Sequence, residues 1–221
     1  MASRPCVVGK RTNPGFFPAA SGFAANRKPP VRTMMLGKNF GDADYYEDFM
    51  AGRKRDVEGK TWINLQTLLR QVDRPQLSEG NCFYTNGYMD LMPKGMLGMT
   101  PGAKDKTYRS DCLEILKEQL REQQPASVVC LGRGARELLS QCSHELAASW
   151  KPGQSLTAID ASGLQIVTTV LDGVALPVTV AALLHPSMRH GMNLTRRRYL
   201  HFANNEAEVQ VLRRVAELMP A

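Results

Sequence analysis

The sequence predicts an α/β fold: a three-layer α/β/α sandwich around a central, mostly parallel sheet of four to five strands. Two observations carry that expectation. From residue 31 onward, strand-sized apolar runs alternate with longer segments of helical period, and such alternation builds a parallel sheet covered on both faces. The runs also give way abruptly to polar or glycine residues, as strands do where they enter loops.

Taken in order, residues 1–30 are rich in Gly, Pro, Ala and basic residues and read as an irregular basic arm, with Phe16, Phe17 and Phe23 offering apolar anchors. Residues 31–221 form the predicted α/β domain. Val31 to Leu36 is a first strand. Thr61 to Val72 is a helix, because Trp62, Leu65, Leu68 and Leu69 recur near helical spacing. Cys82 to Thr85 is a second strand that ends at Asn86-Gly87. Residues 92–104 form a loop. Asp105 to Gln123 is a helix with Ile115, Leu116 and Leu120 on one face, stopped before Pro125.

Ser127 to Leu131 is a third strand. It leads through Gly132-Arg133-Gly134 into one helix carrying Leu138, Leu139, Cys142 and Leu146. Residues 150–163 read as a loop. Leu164 to Leu171 and Pro177 to Leu184 read as strands of a hairpin turning near Asp172-Gly173. Thr195 to Met219 reads as a C-terminal helix with Leu212, Val215, Ala216 and Met219 on one face.

Composition narrows the functional classes. A chain of 221 residues can bury a core without disulfides. No apolar run is long enough to span a membrane, and the N-terminal residues lack a secretory pattern, so a cytoplasmic, bacterial-type protein without membrane partners is expected. The five cysteines are scattered, with no Cys-x-x-Cys pair, which disfavours disulfides and a zinc site. Residues 1–41 hold seven of the 28 Lys and Arg residues and none of the 21 acids. The net charge of +7 therefore belongs to this segment. A basic arm suits phosphate contact, although it also serves as a solubilising tail. Walker, dinucleotide, zinc-protease and Gly-x-Ser-x-Gly signatures are absent.

Ligands of open parallel sheets bind at the carboxyl ends of the strands, so those ends hold the candidate residues. Asn39, in Gly37-Lys38-Asn39-Phe40-Gly41, can orient a water. Asn86 presents a donor beside an acceptor, which matches the N3–H and O4 of uracil and mismatches cytosine. Asn-Gly is also a common turn dipeptide. His185, in His185-Pro186-Ser187, can donate to an oxygen that gains negative charge. Trp62 offers a face for stacking on a base, or a core aromatic at a helix start. Gly132-Arg133-Gly134 can present backbone N–H groups to phosphate, or simply make a tight turn. Arg196-Arg197-Arg198 can touch a DNA backbone or form a solvated helix face.

In this order and spacing the motifs resemble the uracil-DNA glycosylase superfamily, over about residues 31–200. The matching pieces are Gly37-Lys38-Asn39-Phe40-Gly41, Gly59-Lys60-Thr61-Trp62, Phe83-Tyr84-Thr85-Asn86, Leu131-Gly132-Arg133-Gly134-Ala135 and His185-Pro186-Ser187. The resemblance implies hydrolysis of the N-glycosidic bond of uracil, or a related deaminated base, flipped out of single- or double-stranded DNA, by a monomer working at the nucleoid. Asn39 and His185 would be catalytic. Gly37, Lys38, Phe40, Gly41, Trp62 and Asn86 would hold the base. Gly132, Arg133, Gly134, Ser187, Met188 and Arg189 would contact DNA, with Met188 and Arg189 as the wedge behind the flipped nucleotide. Phe40 stands where the superfamily has Pro, and Gly41 where its best-known branch has a thymine-excluding Tyr. The layout is nearest the iron–sulfur branch, but Cys112 is the single matching cysteine and Asp90 occupies a second ligand position. No metal, cluster or organic cofactor is therefore expected. The alternative expectation is an inactive, nucleic-acid-binding relative of the same fold.

Overall fold

A computed structural model describes residues 6–8, 11–13, 32–39, 41, 43–53, 60–78, 81–93 and 101–219. Its centre is a five-stranded sheet built from β3 (Thr33–Gly37), β4 (Cys82–Asn86), β5 (Ser127–Leu131), β6 (Ile166–Thr169) and β7 (Val178–Leu183). Two further short strands, β1 (Cys6–Val8) and β2 (Arg11–Asn13), lie outside it. The strand order is β4-β3-β5-β7-β6. The first four are mutually parallel, and β6 returns antiparallel to β7 as the edge.

Alternation along the strands sorts the core into two halves. Met34, Leu36, Val128, Cys130, Val180 and Ala182 bury on one face. That face is covered by helices that include α3 (Lys106–Gln123), α4 (Arg133–Leu139) and α6 (Leu156–Ser162). Met35, Tyr84, Val129, Leu131, Ala181 and Leu183 bury on the other, under α2 (Lys60–Val72) and α8 (Asn204–Leu218). A period of two with both faces apolar is what a doubly covered parallel strand requires. The three-layer α/β/α architecture follows from it.

Helix boundaries have local causes. The Asp105 carboxylate accepts the N–H of Tyr108 and caps α3, and Gln124 ends that helix in the left-handed region at φ 44°. The Gln124 side chain then donates to Gly173 O at 2.8 Å and accepts from Ala175 N at 3.0 Å. It thereby ties the β6–β7 turn to the helix end.

Several boundaries differ from the sequence expectation. Part of the N-terminal arm is regular, because β1 pairs antiparallel with β2. A helix, α1 (Ala43–Met50), follows the first motif. The single helix expected after Gly132 is broken: α4 stops, Ser140–Cys142 makes a 3-10 turn, and Ser143 caps α5 (His144–Ser149). The expected loop at 150–163 contains α6, capped by Ser155 and ended by Gly163 at φ 71°. Seven residues make too short a helix for periodicity to announce it. The C-terminal helix begins at Asn204 rather than Thr195, after α7 (Gly191–Thr195) and the small hairpin of β8 (Arg198–Tyr199) with β9 (Phe202–Ala203). The cause is Arg197, whose buried charge is drawn into an ion-pair network and cannot lie on a solvated helix face.

Candidate functional site

The carboxyl ends of β4, β3, β5 and β7 lie side by side, as an open parallel sheet requires. Gly37 is directly opposite Asn86 in the parallel register. The pairing continues past the strands, with Gly87 N donating to Gly37 O at 2.9 Å and Tyr88 N to Lys38 O at 2.8 Å. The first motif is thus stitched to the segment that carries Asn86. Within that loop the Asn39 side chain donates from Nδ2 to Gly41 O at 3.4 Å, which leaves Oδ1 as its acceptor. Phe40 lies outside the described residues.

Asn86 is 1% exposed, and among the described residues both Nδ2 and Oδ1 lack a hydrogen-bond partner. Turn chemistry would have spent this amide on nearby backbone. An unsatisfied buried donor or acceptor costs about 1–3 kcal/mol, so folding alone disfavours it. A ligand reaches the amide only by displacing the groups that cover it. Trp62 is buried, its ring edge-on to Tyr84 at 5.0 Å between centroids. Tyr84 and Asn86 alternate onto the same sheet face, so Trp62 is buried on the amide's side of the sheet. In this structure Trp62 is a core side chain rather than an open stacking platform.

His185 caps the 3-10 turn Pro186–Met188 with its own ring. Nδ1 accepts the backbone N–H of Ser187 at 3.3 Å and lies 2.8 Å from Ser187 Oγ. A backbone N–H can only donate, so Nδ1 is unprotonated and the neutral ring carries its proton on Nε2. Burial, and secondarily the positive charge of Lys38, push the His185 pKa down to about 4. The ring is therefore a neutral Nε2–H donor at pH 7.

Glycines decide how closely the groups gather. A Cβ at Gly132, where φ is 91°, would come within 3.0 Å of His185 Cβ, and one at Gly134 within 2.6 Å of Lys38 Cγ. His185 and Lys38 therefore rest on the same turn. Lys38 is partly buried, which lowers its pKa, while the carboxylate of Asp90 raises it. The expected phosphate cradle at Gly132-Arg133-Gly134 needs correction. Gly132 N–H is spent on Leu183 O at 2.9 Å, Gly134 is covered by Lys38, and Arg133 pairs with Glu137 at 2.7 Å.

The wedge also needs correction. Met188 is 46% exposed at the tip of the turn, available to a partner. Arg189 points inward, bound to Glu208 and Asn205, with its side chain 6% exposed. It anchors the turn and is not free to insert into DNA.

Three functional side chains escaped sequence reasoning. Asn64 donates to Pro186 O at 2.8 Å and ties α2 to the His185 turn. Nothing in its local pattern distinguishes it. Glu208 is fully buried and accepts Leu184 N at 2.7 Å while pairing with Arg189 and, at 3.1 Å, with Arg197. It clamps both sides of His185. Its signal was present: Glu208 lies four and seven residues before Leu212 and Val215, a charge on the apolar face of α8, and a buried charge must be paired. Arg136 is the third, and is 1% exposed.

Cys82, Cys112, Cys130 and Cys142 are buried thiols. Burial pushes the thiols of Cys112, Cys130 and Cys142 up, that of Cys142 to about 12. Among the described residues, no group of three or more His, Cys, Asp or Glu side chains is arranged to hold a metal. No described helix is long and apolar enough to cross a membrane.

No known protein-family model matches the chain, and no curated protein matches it either.

Proposed function

We propose that the chain is a DNA glycosylase of the uracil-DNA glycosylase type, hydrolysing the N-glycosidic bond of uracil or a related deaminated base. The observation that carries the proposal is the buried Asn86 amide, whose donor and acceptor are both unpartnered, on the same sheet edge as a neutral His185. Strand ends three places apart stand about 14 Å from one another. That span suits a flat pyrimidine held by a side chain on each side.

In this reading Asn86 Oδ1 accepts N3–H of uracil and Nδ2 donates to O4. His185 Nε2–H donates to O2. As the C1′–N1 bond breaks, its electron pair moves onto the base, and the negative charge gathers where the imidazole already points. The ammonium of Lys38, close enough to depress His185, adds a favourable field. Asn39 Oδ1 accepts from a water whose oxygen bonds to C1′. The water's proton leaves and the base anion is finally protonated, so atoms and charge balance. Met188 fills the space left by the flipped nucleotide.

The alternative, a nucleic-acid-binding relative without activity, draws on the committed position of Trp62 in the core. Labelled oligonucleotides carrying uracil, opposite A or G or single-stranded, with T:G and hypoxanthine controls, separate the two. Alkali-sensitive, uracil-dependent scission is expected, falling about 10²–10³-fold in His185→Ala and also lost in Asn39→Ala. Tight DNA binding with no scission of any substrate overturns the enzyme and favours the binding protein.

A further inference from the structure

Beside His185 lies a concavity of about 300 Å³. It runs between the end of β7 and the helices α6 and α7, and its walls include Arg133, Arg136, Ser155, Thr157, Asn193 and Arg196. Among the described residues, no Asp or Glu lines it. Arg197 also reaches it but is neutralised by Asp160 and Glu208, and Arg133 is paired with Glu137.

Arg136 is different. Its side chain is buried and donates from Nη2 to Gln154 O, while Nε and Nη1, covered by neighbouring groups that an anion must displace, have no hydrogen-bond partner among the described residues. No ion pair satisfies it among the described residues. A guanidinium cannot shed its charge at neutral pH, so a buried one without an anion is strongly disfavoured. Its planar fork matches the oxygens of a phosphate. The exposed rim of Thr157 and Asn193 adds neutral donors without a competing carboxylate.

The geometry points to a phosphate-binding subsite centred on Arg136, taking a backbone phosphate of the strand whose base Asn86 and His185 would hold. That the phosphate belongs to nucleic acid rests on the glycosylase reading; that the cleft takes phosphate does not. The cleft adjoins His185, as a phosphate neighbouring the reacting nucleotide would require.

The test uses the full chain with two probes, inorganic phosphate and a uracil-free thymidine oligonucleotide. Phosphate should bind saturably and move the Arg136 Nε–H resonance. Arg136→Met should abolish saturable phosphate binding, followed on the backbone amides of Ser155 and Thr157, weaken oligonucleotide binding about tenfold or more, and reduce the slope of log K against log salt by about one. Thr157→Glu and Asn193→Asp, both on the exposed rim, should weaken both probes without touching the core; they decide the matter if Arg136→Met does not fold. Unchanged affinity and salt slope in all the folded variants overturn the subsite, even if uracil is excised normally. Saturable phosphate binding without oligonucleotide binding keeps the anion site and overturns its assignment to nucleic acid. Phosphate and oligonucleotide binding lost in the variants, in a protein that never excises uracil, supports the subsite and sinks the glycosylase reading instead.

Discussion

The two halves of the candidate site are built on opposite principles. Around His185 the backbone and the ring's Nδ1 are spoken for, and only Nε2–H of the ring is left to give. Ser187 binds the ring, Asn64 holds the Pro186 carbonyl, and Glu208 holds Leu184 N–H and Arg189 on either side. Around Asn86 the backbone is equally well stitched, yet the side chain itself is left without partners. One half is over-determined and the other is held in deficit. The contrast separates two requirements of a binding site. A group that stabilises charge must not reorganise, so it is locked in advance. A group that reads a ligand must keep its hydrogen-bonding capacity unspent until the ligand arrives.

Substitutions on the two halves should therefore change stability with opposite signs. The largest effect is expected on the locked half. Glu208→Ala strands Arg189 as a buried charge and leaves Arg197 with Asp160 alone, and should cost about 3–5 kcal/mol by denaturant unfolding. A loss below ~1 kcal/mol would break the contrast. Asn86→Leu is the mirror experiment. It removes two unsatisfied buried groups, so thermal or denaturant unfolding should report a gain of about 1–3 kcal/mol, while any uracil-dependent activity disappears. A destabilised Asn86→Leu protein would mean that the amide has a partner in solution and is not held open.

The smallest effect sharpens the electrostatics. Lys38→Met removes the like charge from His185 and should raise its pKa above about 4, while keeping it below the ordinary histidine range, because burial is the larger cause. An NMR titration of the His185 ring would measure it, and no movement would dissociate Lys38 from the site. The same pKa gives a pH dependence. His185 is depressed from 6.5 to about 4 in the folded state. Its contribution to stability is thus complete above pH 6.5 and lost as pH falls toward 4, where the unfolded chain takes up a proton that the folded one refuses. Unfolding free energies from pH 7 to 4 should decline in wild type and decline less in His185→Gln.

The strands were readable because their signal is local. Ser127–Leu131 is found as expected, and the β6–β7 hairpin turns at the anticipated place. The helices at 60–72 and 106–123 start within a residue of their expected positions and end where expected. What failed was short or paired at a distance. Helix α6 spans too few residues to display a stripe, although Ser155 and Gly163 marked its ends. Arg197 looked like one more surface cation, because its partners Asp160 and Glu208 are 37 and 11 residues away along the chain.

The site divides in the same way. That Asn39, Asn86, Gly132 and His185 stand at strand ends was legible, and so was the wisdom of looking there. Which of them are spent was not: Gly132 and Arg133 turned out to be engaged, Arg189 anchored and Asn86 left open. The amino-acid sequence by itself determined the layer architecture and the residues offered at its ligand-bearing edge, because alternation and apolar periodicity act between near neighbours. Only the tertiary structure decided which polar groups are satisfied, because hydrogen bonds and ion pairs across the core join residues that no local pattern relates.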